Sequence, residues 1–211
     1  MTTAVLVIDM QNGFVHEKGS LPSNGNGLPN TAEVIAENRD LIAEARRLGV
    51  PVIYTRHVFR PDFVEAPPRM EMLRTMEPAP LVRGSWDAEV IDDLAPAEGE
   101  AIIDKSRYDA FLYTDLETVL RGKGITRLLV TGVVTSICVE STVRSGHQRD
   151  FEMLVAADCV SAPESQHGPA LEVMAAVFAE VAPWRELVAA HLVPEGASAS
   201  ASTPVPAQGS A

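Results

Sequence analysis

Residues 127–148 read RLLVTGVVTSICVESTVRSGHQ, a strand that runs straight into a helix. Arg127–Val134 is a short apolar run rich in β-branched residues, the pattern of a strand buried on both faces. Residues 137–148 form a helix, with the capping types Thr135 and Ser136 just before it. Working outward, the same alternation recurs. Ala4–Ile8 (AVLVI) reads as a first strand. Asn30 and Thr31 cap a helix over Ala32–Leu48, which Gly49 stops. Val50–Val58 is a second strand and Ala101–Asp104 a third, and Thr114 or Asp115 caps a short helix ending near Gly122. Beyond the opening stretch come a strand over 152–157, the core of a helix over Leu171–Glu180, a short strand near 179–182 and a terminal helix over Trp184–His191. Strands alternating with helices predict a single-domain, three-layer α/β/α Rossmann-like fold with a mostly parallel sheet of about six strands. In such sheets sites form beyond the carboxyl ends of the strands.

Two segments stand outside this rhythm. Phe59–Glu100 is punctuated by Pro61, Pro67, Pro68, Pro78, Pro80 and Pro96, which predicts a long irregular excursion, and such loops are often functional. After a domain spanning residues 1–193, the segment 194–211 is an Ala/Ser/Pro-rich tail expected to be disordered.

Composition excludes several function classes. The chain has 211 residues and a formal net charge of −12, which disfavours nucleic acid and anionic membranes as partners. Two cysteines make no disulfide framework. No apolar run approaches the ~20 residues of a membrane span, and the first residues lack the basic start of a signal peptide. The expectation is a cytoplasmic protein whose thiols stay reduced.

Three predicted strand ends carry reactive groups: Asp9, Lys105 and, just past the fourth strand, Cys138. Taken singly, each has an ordinary reading as a cap, a solvated lysine or a buried small residue. Together they make chemical sense. A neighbouring ammonium and a helix start lower a thiol pKa. A carboxylate can take the thiol proton and return it to a leaving amine. Backbone N–H groups at the helix start would cradle an oxyanion. Cys159 reads as a small buried residue, with no Cys-x-x-Cys spacing to make it a resolving thiol.

VLVIDMQNGF at 5–14, DKSRYDAF at 104–111 and VTGVVTSICVESTVRSGHQRDFEMLVAADCVSA at 130–162 resemble the isochorismatase-like cysteine hydrolases over about residues 3–190. The resemblance implies a catalytic triad of Asp9, Lys105 and Cys138. It also implies a non-proline cis peptide between Val133 and Val134, with the N–H groups of Val134 and Cys138 as the oxyanion hole. Phe14 and Gln11 match residues that line or support the substrate pocket. Tyr108 and His57 are further candidates for substrate binding.

Within that family, Cys138 argues against a vinyl-ether hydrolase, because true isochorismatases carry Gly at that place. The resemblance then implies C–N hydrolysis of a small amide, ureido or carbamoyl compound, or cyclic amide, through a thioester. Nicotinamidases carry a D-x-H-P-x-x-H metal motif after the second strand. Here TRHVFRPDF at 55–63 offers only His57 and Asp62, too few for a three-ligand site, so no metal and no cofactor are expected. A nicotinamidase-type amidase and a non-catalytic or redox thiol protein are the alternatives. Relatives suggest a homodimer or homotetramer. Arg56, Arg60, Arg69, Arg74, Arg83 and Arg107 are available to hold a carboxylate, and Asp62, Glu65 and Glu71 to greet a cation. Trp86 is a further candidate for an apolar wall. Composition leaves the charge of the substrate open.

Overall fold

The computed structural model describes residues 1–193, without the side chains of residues 71 and 72. The tail 194–211 and the acidic candidate Glu71 therefore lie outside the description. Six strands, β1 (Thr3–Ile8), β2 (Val52–His57), β3 (Ala101–Lys105), β4 (Arg127–Val133), β5 (Glu152–Ser161) and β6 (Glu180–Ala182), form one sheet in the order β3-β2-β1-β4-β5-β6. Every pairing is parallel. The chain winds outward from β1 in one direction and from β4 in the other, so the order reverses between them. That is the switch point at which open parallel sheets form a crevice.

Seven α-helical segments accompany the strands: α1 (Asn12–Val15), α2 (Ser20–Ser23), α3 (Thr31–Arg47), α4 (Leu116–Gly122), α5 (Glu140–His147), α6 (Glu164–Val177) and α7 (Trp184–His191). Alternate residues of β1 feed two different cores, as the strand's period of two requires. Val5 and Val7 pack with Leu41, Ile42, Leu187 and Val188 of α3 and α7. Ala4, Leu6 and Ile8 pack with Leu116, Leu120, Val143 and Met174 of α4, α5 and α6. Helix α3 has Glu33 in its first turn and Arg46 and Arg47 in its last, matching the helix dipole. It ends at Gly49, whose φ is +69°.

Several boundaries differ from the sequence reading. Asn30 occupies the N-cap position of α3 but adopts φ +53° and makes no side-chain cap bond. The helix expected from 137 starts as a π-helical turn at Thr135–Val139 before α5. Helix α6 begins at Glu164 rather than near Leu171 and carries Pro169 inside it; Gly168–Pro169 looks like a breaker in sequence, yet packing holds the helix through it. Strand β5 continues to Ser161 through a register shift opposite Val130 and Gly132. There the Cys159 carbonyl accepts from Thr131 Oγ1 and Asn38 Nδ2, each at 2.8 Å, so an apparently polar strand end is satisfied inside the sheet.

The excursion between β2 and β3 contains three short 3-10 turns, Pro68–Thr75, Trp86–Ala88 and Asp92–Leu94. It has its own small core of Phe59, Phe63, Ala66, Met70 and Leu81, with Phe14 and Leu73 against it. The residues after Asp9 fasten its far end. Gln11 Nε2 donates to Ala88 O at 2.8 Å, Asn12 Nδ2 to Trp86 O at 2.9 Å, and Ile91 N to Met10 O at 2.9 Å. Buried Asp87 accepts from Ser20 N, Ser20 Oγ and Leu81 N. Among the described residues, no helix is long and apolar enough to cross a membrane.

Candidate active site

Parallel register brings the three reactive residues to one rim. Ile8 is aligned with Thr55 on one side and Gly132 on the other, and His57 with Lys105. Asp9 follows β1 with φ +52°, a left-handed conformation that Asp tolerates better than most residues. Thr55 holds it there: Thr55 Oγ1 donates to Asp9 Oδ1 at 2.6 Å and accepts from Asp9 N at 3.2 Å. Nothing in the sequence singles out Thr55, which looks like any β-branched strand residue. Its role appears only once the register is known.

Lys105 Nζ lies 2.6 Å from Asp9 Oδ2, with both side chains fully buried, and donates to Arg107 O at 3.0 Å. Burial pushes the Lys105 ammonium down, but Asp9 and Cys138 outweigh it and hold the lysine above its usual range. Cys138 sits in the π-helical turn that follows β4, buried beside both. Ligating atoms of Asp9, His57 and Cys138 all lie within 4.8 Å of one another.

The thiol departs from expectation. Burial pushes the Cys138 thiol up to about 12, Lys105 pulls it down, and Asp9 pushes it further up. The desolvation cost of an anion in this crevice works against the ammonium's pull and favours the neutral thiol. The capping residues also differ. Val134, not Thr135 or Ser136, holds the N-cap position. Thr135 Oγ1 instead meets His167 Nδ1 at 3.0 Å and Ser136 Oγ donates to Gln166 Oε1 at 2.8 Å, tying the turn to α6. The Val134 carbonyl accepts from Ile137 N and Val139 N, and the Val133–Val134 peptide is cis.

A cavity of about 510 Å³ opens at this rim, lined by Phe14, His57, Phe59, Arg69, Tyr108 and Val134 among others. That size suits a small molecule. His57, Phe14 and Tyr108 thus face the cavity as candidates should. His57 is buried, and its Nε2 has no hydrogen-bond partner among the described residues. Its ring rests 4.8 Å from that of Phe59 and 6.0 Å from that of Tyr108. Burial chiefly, then Lys105 and Arg107, hold His57 well below its usual range, so it is a neutral imidazole. Burial also raises the Tyr108 phenol. Gln11 is placed differently from a substrate ligand. Its amide is spent within the protein, Nε2 donating to His57 O at 3.0 Å and to Ala88 O, and Oε1 accepting from His57 N at 2.7 Å. It supports the pocket from behind, the other half of its expected role. Trp86 lies outside the cavity lining, half-exposed and edge-on to His16.

Among the described residues, Asp9, His57 and Cys138 are the one cluster of three or more His, Cys, Asp or Glu side chains spaced for a metal. The Lys105 ammonium against Asp9 already supplies a positive charge there and opposes a second cation. The two cysteines are both free. Burial, then Asp158 and Glu37, push the Cys159 thiol far up, as suits an inert buried residue.

The chain matches the isochorismatase domain over residues 3–186. It is 35% identical to the ureidoacrylate amidohydrolase RutB of Methylobacterium radiotolerans over 95% of this chain and 83% of that protein. Among solved structures it is similar to a cysteine hydrolase from Pseudomonas syringae pv. phaseolicola, with TM-score 0.79, 31% identity and coverage of 89% of this chain and 91% of the other. It is also similar to the N-carbamoylsarcosine amidase of Thermoplasma acidophilum, with TM-score 0.74, 27% identity and coverage of 87% and 97%.

Proposed function

From the premise that the chain belongs to the isochorismatase-domain family, we propose that it is an amidohydrolase that cleaves a C–N bond of a small amide, ureido or carbamoyl compound through a cysteine thioester. The observation that carries this reading is the buried Asp9–Lys105 pair beside Cys138, clustered with His57, which lines a small-molecule cavity. The relatives named for ureidoacrylate and N-carbamoylsarcosine support the ureido and carbamoyl side of that class.

The cycle follows from the resting protonation. As Cys138 Sγ adds to the substrate carbonyl carbon, its proton passes to the Asp9 carboxylate. The thiol's high pKa makes this transfer part of the attack rather than a prior ionisation. The carbonyl oxygen becomes an oxyanion, held by the N–H groups of Val134 and Cys138; each such donor contributes about 3 kcal/mol. Collapse breaks the C–N bond, and Asp9 returns the proton to the leaving nitrogen, which departs as ammonia or an amine. Lys105 keeps the carboxylate in place and offsets the negative charge at the sulfur. Water then adds to the thioester while Asp9 takes its proton. The second collapse releases the acid, and Asp9 reprotonates the Cys138 sulfur.

Phe14, His57 and Tyr108 contact the substrate in this reading, and Gln11 holds the His57 backbone behind them. The hydrolase domain spans residues 1–193, acts in the cytoplasm, where both free thiols stay reduced, and assembles as a homodimer or homotetramer. The test is ammonia release from a panel of ureido, carbamoyl, carboxamide and lactam compounds, with and without EDTA, using wild-type and Cys138→Ala protein. Release that is insensitive to EDTA and abolished in Cys138→Ala is expected. Full activity in Cys138→Ala would overturn the mechanism, and loss of activity in EDTA would favour a nicotinamidase-type enzyme.

A further inference from the structure

Six arginines were open as anion ligands from sequence, and the structure accounts for five of them elsewhere. Arg56 pairs with Asp104 at 2.9 Å and Glu89 at 2.6 Å. Arg83 also pairs with Asp104. Arg60 pairs with Glu65 at 3.2 Å. Arg74 donates to Phe63 O at 3.0 Å and Arg107 to Glu65 O at 2.7 Å. Arg69 alone lines the cavity, and it has no hydrogen bond or ion pair among the described residues.

Charge on the walls is one-sided. Arg69 is the single Asp, Glu, Lys or Arg side chain in the described lining, which is otherwise largely apolar. The acidic candidates Asp62 and Glu65 are absent from it; Asp62 accepts from Val64 N and Glu65 is held by Arg60. His57, Tyr108 and Arg69 line the same cavity, and a ring nitrogen of His57 lies within 4.8 Å of Cys138 Sγ. One small molecule can therefore meet the thiol and the guanidinium together. A guanidinium over an apolar lining matches a carboxylate with a planar, two-oxygen face.

We propose that Arg69 anchors a carboxylate at the far end of the substrate, so that the enzyme selects small amido or ureido acids over their uncharged counterparts. This rests on the amidohydrolase reading for its chemistry, while the anion site stands on the cavity alone. Arg69 is a binding residue here, and its effect falls on KM.

The experiment has two arms. In the first, wild-type, Arg69→Ala and Arg69→Lys proteins are assayed for ammonia release from 3-ureidoacrylate, N-carbamoylsarcosine and succinamate, each beside its methyl ester. The wild type is expected to prefer each accepted acid over its ester by at least tenfold in kcat/KM. Arg69→Ala is expected to cut that ratio at least tenfold through KM, and Arg69→Lys to retain part of it. In the second arm, calorimetry measures binding of maleate and of dimethyl maleate to the same proteins, with no turnover involved. Maleate binding that weakens at least tenfold in Arg69→Ala, with the ester not bound, is expected. Equal handling of acid and ester by the wild type, or maleate binding unchanged in Arg69→Ala, would overturn the anion site. Anion binding that depends on Arg69 without ammonia release from any compound would instead overturn the amidohydrolase reading and leave the site standing. Arg69 is exposed, so its variants are expected to melt with the wild type.

Discussion

The two walls of the candidate site, the buried strand ends and the excursion, are held by different means. On the sheet side, Asp9, Thr55, His57 and Lys105 sit at or just past strand ends whose neighbours are set by parallel register, and all four are buried. On the other side, Arg69, Met70, Leu73 and Leu81 belong to the part of the excursion that rests on a small separate apolar cluster and on ion pairs whose arginines are exposed. Exposed pairs are worth about 0–1 kcal/mol each, whereas removing one partner of a buried pair costs about 3–5 kcal/mol. On the proposed mechanism the chemistry is therefore built into the rigid layer, and recognition into the part that can vary without unfolding the rest.

Substitutions should separate the walls most sharply at Cys138, the proposed nucleophile. Cys138→Ala is expected to lower kcat by at least about 10⁴-fold, the scale seen when a nucleophile is removed, while circular dichroism and the melting curve stay close to wild type. Next comes the ion pair. Lys105→Met should lose about 3–5 kcal/mol in urea unfolding, because it strands Asp9 in the interior, whereas Arg83→Gln on the excursion should lose less than about 1 kcal/mol. Equal losses would erase the contrast between the walls. A protease at low dose should cut within residues 59–100 before it cuts within β1 or β4, since the excursion carries exposed irregular stretches and those strands are almost wholly buried. First cuts within β1 or β4 would reverse the assignment of rigid and pliable layers.

A more gradual effect is expected with pH, at His57. Its pKa is depressed in the folded protein, so the folded chain keeps it neutral while the unfolded chain takes up a proton below about pH 6.5. The stability it contributes is present above that value and is lost as pH falls, by at most about 1.4 kcal/mol per pH unit. Urea titrations of wild type and His57→Gln between pH 7 and 5 should show the decline shallower in the variant.

The contrast also explains what could be read from sequence. The alternation of AVLVI, RLLVTGVV and the intervening helices announced a parallel sheet, and strand ends are where such sheets place their chemistry, so Asp9, Lys105 and Cys138 were within reach. The family resemblance added Val134 and the cis peptide. Thr55 was beyond reach because its importance depends on which residue of β1 it faces. Arg69 was beyond reach for a different reason: nothing local distinguishes it from Arg60 or Arg74, and only the three-dimensional pairing of its rivals isolates it. Sequence reveals the Lys105 ammonium that lowers the Cys138 thiol but not the burial that raises it, because depth depends on the packed fold.

Gly132 carries a consequence of its own. It adopts φ +105°, and a Cβ there would lie 2.0 Å from Ile8 O and 2.7 Å from Ile8 N, against the residue just before Asp9. Any side chain at 132 would push the end of β1 aside and carry the carboxylate with it. In a randomised library selected for turnover, position 132 would stay glycine in every active clone, while 59–100 would accumulate changes and with them new substrate preferences. Divergence in this enzyme thus has a one-way geography, free to drift on the outer wall and locked at a backbone contact with no room for a single methyl group.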